Sequence, residues 1–331
     1  MVHVVEWHTI SKTGQNYKNQ KALMESVERQ IDAKFPTQNN VLVNITWFGP
    51  QFGLGTYEKF VDYYKNNAID NLFFLASEDP IFHNREETQK IIEDSGAKQA
   101  YLLGNFDNGP QSFHFYATTT AEYFPNYNEE DLLLRSAKHI YLNYNRKPHP
   151  HRIKLVNMLD ERELTQAGIV TLGNEKTLGE TIDIEGNWGM PDEYGIPHDI
   201  STLGNLDIWQ HHFLNLVSET DFEDHRFTFI SEKTWKPIVG LRPFIINGQL
   251  DVYKQLREHG FKTFNHYWPH IDVENCNIDD IQHNICEIIV WLQTQQLSQL
   301  YLDMLPDLRY NRLRFYEFVD EQNHKMEHLF G

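Results

Sequence analysis

The sequence predicts an α/β protein built as two doubly wound, Rossmann-like domains, and three observations carry that expectation. Residues 227–248, FTFISEKTWKPIVGLRPFIING, read in succession as strand, polar turn, helix and strand, which is half of a doubly wound unit. Leu72-Phe-Phe-Leu-Ala76 is an apolar run bounded by turn signals, the pattern of a parallel strand buried on both faces. The chain has 331 residues, 40% of them hydrophobic, which suits two ordinary cores better than one.

In chain order, residues 2–7 predict a first strand. The loop from Ser11 to Tyr17 has one glycine among small polar residues and lacks the Gly-rich pattern of a phosphate cradle, so ligand contact and plain connection both stay open. Residues 17–34 predict an amphipathic helix, with Leu23, Val27 and Ile31 at helical spacing. Val41 to Phe48 predicts a strand, followed by a loop, Gly49 to Gly55, whose glycines permit close backbone approach. The strand Leu72–Ala76 runs into Ser77-Glu78-Asp79-Pro80. Carboxylates at the carboxyl end of a parallel strand face the ligand crevice, so Glu78 and Asp79 are candidate acid–base groups; helix capping by Ser77 or Asp79 is the competing role. Tyr101–Gly104 predicts another strand, and the turn after it makes Asp107 a third candidate, with His114 able to face the same side.

Residues 117–137 turn polar and acidic and mark the expected boundary: a first domain over 1–137, a second over 138–305, and a closing helix over 306–331 that packs back toward the first. His139–Tyr144 opens the second domain as a strand. The loop Asn145 to Arg152 then holds three cations and two imidazoles in eight residues and leads into a helix with Ile153, Val156 and Leu159 on one face. A helix start joined to arginine is a ready anion site, which singles out Asn145, Arg146 and Arg152. His149 and His151 fall short of a zinc ligand set, so no metal is expected. Ile169–Gly173 is a further strand, and 174–206 reads as an irregular insertion. The strand 213–219 ends in Glu219, which lines the same crevice. In the central stretch, Ser231 caps a helix, Glu232 suits its positive end, and Lys233 follows. Beyond it, the pattern gives a helix over 250–259, a short strand over 261–264, a long helix over 278–298 with Ile281, Ile285, Ile289 and Leu292 at core spacing, and a last helix over 307–329.

Composition narrows the function. A net charge of −18 disfavours a sequence-independent grip on nucleic acid, which needs Lys and Arg to replace counterions, although a local basic cleft stays possible. An aromatic content of 13% fits either a well-packed core or a cleft that stacks on bases or sugar rings. No apolar run approaches the length of a membrane span and no signal peptide is evident, so the expected compartment is the cytoplasm. Cys276 and Cys286 read as reduced thiols of such a compartment.

The run Ser231-Glu-Lys-Thr-Trp-Lys-Pro-Ile238 followed by Pro243-Phe-Ile-Ile-Asn-Gly248 resembles the donor-binding motif of α1,3-fucosyltransferase-like enzymes. Phe213 to Glu219 falls where that family has its Phe-Glu-Asn strand, and Ile140 to Arg146 with His151-Arg152 resembles its donor-contacting strand and arginine. The chain is also similar to uncharacterised phage and marine-virus proteins carrying SEKTWKP, which would place it in a host cytoplasm. The likeness covers roughly 138–265. It implies a glycosyltransferase of GT-B type, with two Rossmann-like domains facing across a cleft. Such an enzyme moves a sugar from a nucleotide diphosphate sugar to an acceptor hydroxyl with inversion, and takes no metal or other cofactor. Asn145, Arg146, Arg152, Glu219, Ser231, Glu232 and Lys233 would bind the donor, and Glu78, Asp79 or Asp107 would take the acceptor's proton. Ser231 stands where the family has Thr, and Phe-Glu-Asn is kept only in part as Ser218-Glu219-Thr220, so donor identity does not carry over. The acceptor is a glycan or, on the phage-like resemblance, a hydroxymethylated pyrimidine in DNA. A non-catalytic sugar- or nucleotide-binding protein, or a virion structural protein, is the reading from another class. Sugar, acceptor and oligomeric state are not encoded legibly.

Overall fold

The computed structural model describes residues 2–6, 15–44, 63–76, 92–104, 127–145, 148–172, 176–178, 205–222 and 228–330, with 114, 117, 118, 121 and 203 besides. The chain forms two compact units, Met1–Thr119 with Asp320–Gly331, and Thr120–Val319. The sequence expectation sets the divide after 137. Residues 127–137 join the second unit because buried groups there hold their backbone: Arg242 donates to the Leu132 carbonyl at 2.7 Å, Gln210 to the Asp131 carbonyl at 2.7 Å, and the Arg135 amide to the Gln210 carbonyl at 2.9 Å.

The first unit is a parallel sheet of strands β1 (His3–Glu6), β2 (Asn40–Asn44), β3 (Asn71–Ala76) and β4 (Gln99–Gly104), in that spatial order. Helix α1 (Gln15–Lys34) connects the first two strands and buries Val27 and Ile31 against Leu42, Phe73, Leu75 and Leu103. The last residues of the chain complete this core. Leu329 lies in it, and the Phe330 ring meets Phe35, Phe73 and Tyr101 at 5.8, 5.5 and 6.1 Å between centroids.

In the second unit the strands run β7 (Lys176–Leu178), β6 (Gly168–Leu172), β5 (His139–Asn143), β8 (His212–Ser218) and β9 (Phe244–Asn247). All pair in parallel except β7, which is antiparallel to β6. The helices are α2 (Glu129–Leu132), α3 (Pro150–Glu161), α4 (Leu206–His211), α5 (Glu232–Val239), α6 (Asp251–Glu258), α7 (Ile281–Leu292) and α8 (Leu297–Glu327), which belongs to this unit as far as Val319. The chain passes from β5 out to β6 and then crosses back to β8 on the other side. The order therefore reverses between β5 and β8, which in an open α/β sheet opens a crevice beyond the strands' carboxyl ends. Both units are mixed α/β with parallel sheets.

Five elements differ from their expected form. Thr228–Ile230 is not a strand: β9 occupies the place beside β8, and the Phe229 amide donates to Gln249 Oε1 at 2.9 Å instead. Residues 261–264 are not a strand either, because the Asn311 side chain takes the Lys262 amide at 2.8 Å and donates to the Lys262 carbonyl at 2.8 Å, replacing a partner strand. The helix expected to 298 stops at Leu292, and the final helix starts at Leu297 and runs through Pro306. The insertion 174–206 contributes β7.

Candidate functional site

Every parallel strand of the second sheet is polar at or near its carboxyl end: Thr171 in β6, Asn143 in β5, Ser218 in β8, Asn247 in β9. Their side chains join edge to edge. Asn145 Nδ2 donates to Asn143 Oδ1 at 2.5 Å and to the Thr171 carbonyl at 3.0 Å; Asn143 Nδ2 donates to Ser218 Oγ at 3.1 Å and to the Leu216 carbonyl at 2.6 Å. Asn247 Nδ2 reaches Ser218 Oγ at 3.5 Å, and Gln282 Nε2 from α7 donates to Asn247 Oδ1 at 3.0 Å and to the His151 carbonyl at 2.6 Å. All of these side chains are buried. Asn145 Oδ1 and Gln282 Oε1 are left over from this pairing, and the shared bonds of the others fix the strand ends relative to one another.

On that edge stands Glu219, the residue after β8, with no exposed surface. Its Oε1 accepts from the Ser231 amide at 3.1 Å and Thr234 Oγ1 at 2.6 Å, and its Oε2 from Ser231 Oγ at 2.6 Å and the Thr220 amide at 3.2 Å. A carboxylate has about four acceptor positions, and all are filled from within the chain. The expectation had Glu219 among the donor-binding residues; the geometry engages its side chain within the chain, tying the start of α5 to the end of β8. Its main-chain carbonyl does the same for α3, accepting Arg152 Nη2 and His151 Nε2, both at 2.9 Å. Gly248 makes room for this turn, since a Cβ there would lie 2.9 Å from Glu219 Cβ.

Two helix starts therefore meet at one residue. In α3, Pro150 takes the first position, where a missing amide costs nothing, and His151 and Arg152 follow. In α5, Ser231 caps the helix as its sequence suggests, accepting from the Lys233 amide at 3.3 Å. Lys233 Nζ, partly exposed, contacts Ser231 Oγ at 3.1 Å and Glu232 Oε1 at 2.9 Å. Burial alone would push the Glu232 carboxyl up, but Lys233, Lys236 and its own amide outweigh that and hold it below the usual carboxylate range. His151 is pushed down to about 4, by burial first and then by the charges of Arg152 and His149, so the ring is neutral at pH 7 and its Nε2 carries the proton given to Glu219.

Comparison with protein-family models, curated proteins and solved structures finds no match for the chain. The functional reading therefore rests on the residues. Of the expected donor-binding set, Arg152, Glu219, Ser231, Glu232 and Lys233 converge on one edge, and Asn145 lies on the same edge in the buried network. Arg146, Glu78, Asp79 and Asp107 lie outside the described residues. Arg242, just before β9, is fully buried against the start of β8. It donates to the carbonyls of Leu132, Trp209, His212 and Leu241, so it is unavailable to any polyanion. Sequence reading missed Asn143, Ser218, Asn247 and Gln282; the available signal was a polar residue closing each apolar run. Among the described residues no cluster of three metal-ligating side chains occurs, and no helix is long and apolar enough to cross a membrane.

Proposed function

We propose that the chain is a glycosyltransferase that moves a sugar from a nucleotide diphosphate sugar to an acceptor hydroxyl, with a GT-B type of fold and the donor held by the second unit. The observation that carries this reading is the meeting of Lys233 and Arg152, from two helix starts, around Glu219 at the switch point of the parallel sheet. Helix starts and cations at that place suit a diphosphate. As the glycosidic bond breaks, the departing diphosphate gains negative charge, and cations already in position stabilise it without reorganisation. Lys233 supplies the reachable charge by leaving Glu232 for the phosphate. Arg152, buried beneath, adds positive potential. Glu232, released from its ion pair, turns to a ribose or sugar hydroxyl. The proton of the acceptor passes to Glu78, Asp79 or Asp107, and no metal takes part.

Calorimetric titration with UDP, GDP, ADP, CMP and TDP in the presence of EDTA tests the reading. One of them binds, and Lys233→Ala weakens it about 10- to 100-fold, the equivalent of one charge-assisted hydrogen bond. Absence of binding by all five, or unchanged affinity in the variant, refutes the donor role.

A further inference from the structure

Three aromatic rings lie nearly flat on one another beside the Arg152–Glu219 contact. The His149 and His151 planes are 10° apart with centroids at 6.0 Å, and the His151 and Phe222 planes are 11° apart with centroids at 5.2 Å. The middle ring is fixed in orientation, because His151 Nε2 donates to the Glu219 carbonyl at 2.9 Å. Phe222 sits three residues beyond Glu219 in the turn that Gly248 admits, so the same geometry that places Arg152 places this ring.

The stack is unlike the core aromatics of the same chain. Phe73 is fully buried and touches Phe35, Tyr101 and Phe330. Phe222 is only partly buried, at the rim of the unit rather than in its core, and among the described residues its ring partner is His151. A rigid, flat apolar face at the carboxyl edge of a parallel sheet, next to cations placed for phosphate, has the form that stacks nucleobases.

We propose that Phe222, backed by His151 and His149, is the platform on which the nucleobase of the donor stacks, so that the site selects nucleoside diphosphates over diphosphate alone. This rests on the diphosphate reading above. The His151 ring behind Phe222 stays neutral at neutral pH, as burial and the adjacent Arg152 charge outweigh its bond to the Glu219 carbonyl and Asp221.

The test is calorimetry of nucleoside diphosphates and inorganic pyrophosphate on the wild-type chain, Phe222→Leu and Phe222→Trp. Leucine keeps the apolar bulk and removes the π face. The expected result is that Phe222→Leu weakens the nucleoside diphosphate by about 5- to 100-fold, the range of a lost base stack, and leaves pyrophosphate unchanged, while Phe222→Trp keeps nucleotide affinity. Equal weakening of both ligands, or none of either, in variants with wild-type circular dichroism overturns the platform. Pyrophosphate binding as tight as nucleotide binding in the wild type overturns it too and leaves the diphosphate reading standing. Failure of the wild type to bind either ligand overturns both.

Discussion

Replacing Glu219 separates an internal organiser from a ligand-binding carboxylate. Glu219→Ala leaves four donors without their acceptor: the amides of Thr220 and Ser231 and the hydroxyls of Ser231 and Thr234. Thr220 is partly exposed, but Ser231 is 1% exposed and Thr234 0%, so three donors lose their partner inside the protein. Each buried donor left unsatisfied costs about 1–3 kcal/mol. Hydroxyl rotation and water entering the vacated space bring the sum toward the lower end, about 3–5 kcal/mol. Glu219→Gln keeps one acceptor oxygen, but the new NH2 opposes the Thr220 amide and removes the acceptor of the Ser231 hydroxyl, which already accepts from the Lys233 amide and Nζ, at a combined cost of about 2–3 kcal/mol. For a unit of this size each kcal/mol lowers Tm by about 2–4 °C, so alanine lowers it by roughly 10 °C and glutamine by roughly 7 °C. Because the chain has two units, a single melting curve mixes their transitions. Hydrogen exchange resolved by peptide is the better assay, with lost protection confined to β8 and the first turns of α5 and unchanged protection in β2 and β3. Protection in the alanine variant within about 1 kcal/mol of wild type, with only ligand affinity reduced, would falsify the organiser role and return Glu219 to the ligand.

Two further perturbations probe the fold around the site. His212 is fully buried and pushed down to about 3, by burial first and by Arg242 next, and His151 is pushed down to about 4. Both histidines take up protons more readily when unfolded, so their contribution to stability is whole above pH 6.5 and is lost as pH falls toward those values, at about 1.4 kcal/mol per pH unit for His212 and less for the partly exposed His151. Urea midpoints measured from pH 7 to 4.5 should fall steeply, and His212→Gln should flatten the slope; equal slopes in the two proteins would remove His212 as its source. At the other end of the chain, deleting residues 326–331 removes Leu329 and Phe330 from the first unit's core, along with the Leu329 amide bond to Gln30 at 2.9 Å. The expected loss is about 3 kcal/mol or more, read as faster exchange in β2 and β3 with β8 and β9 unchanged. Wild-type protection in the truncated chain would show that the tail is not part of that core.

The parts of the fold that were legible in sequence are those decided locally. Leu72–Ala76 is a strand because five apolar residues in a row have nowhere else to go, and Ser231 caps α5 because its own oxygen reaches an amide two residues on. What was not legible depends on residues distant in sequence. Pro306 reads as a stop, yet the carbonyl it leaves without an amide belongs to Leu302, whose side chain is 57% exposed on the wet face of α8, so water can serve it. Glu219 reads as a ligand carboxylate by position. Its true partners, Ser231 and Thr234, lie 12 and 15 residues on and arrive only when α5 folds back onto the strand ends.

The polar strand ends make the same point about function. A sheet shaped for stability alone would finish β5, β8 and β9 with more apolar side chains, since a buried polar group adds little even when satisfied and costs much when it is not. These strands finish instead with Asn143, Ser218 and Asn247, which bond across the order β5–β8–β9 and reach His151 through Gln282. The helix starts that follow those strands are thereby held in fixed positions relative to one another. On the reading proposed above, that rigidity is what keeps the charges at the helix starts preorganised for a diphosphate.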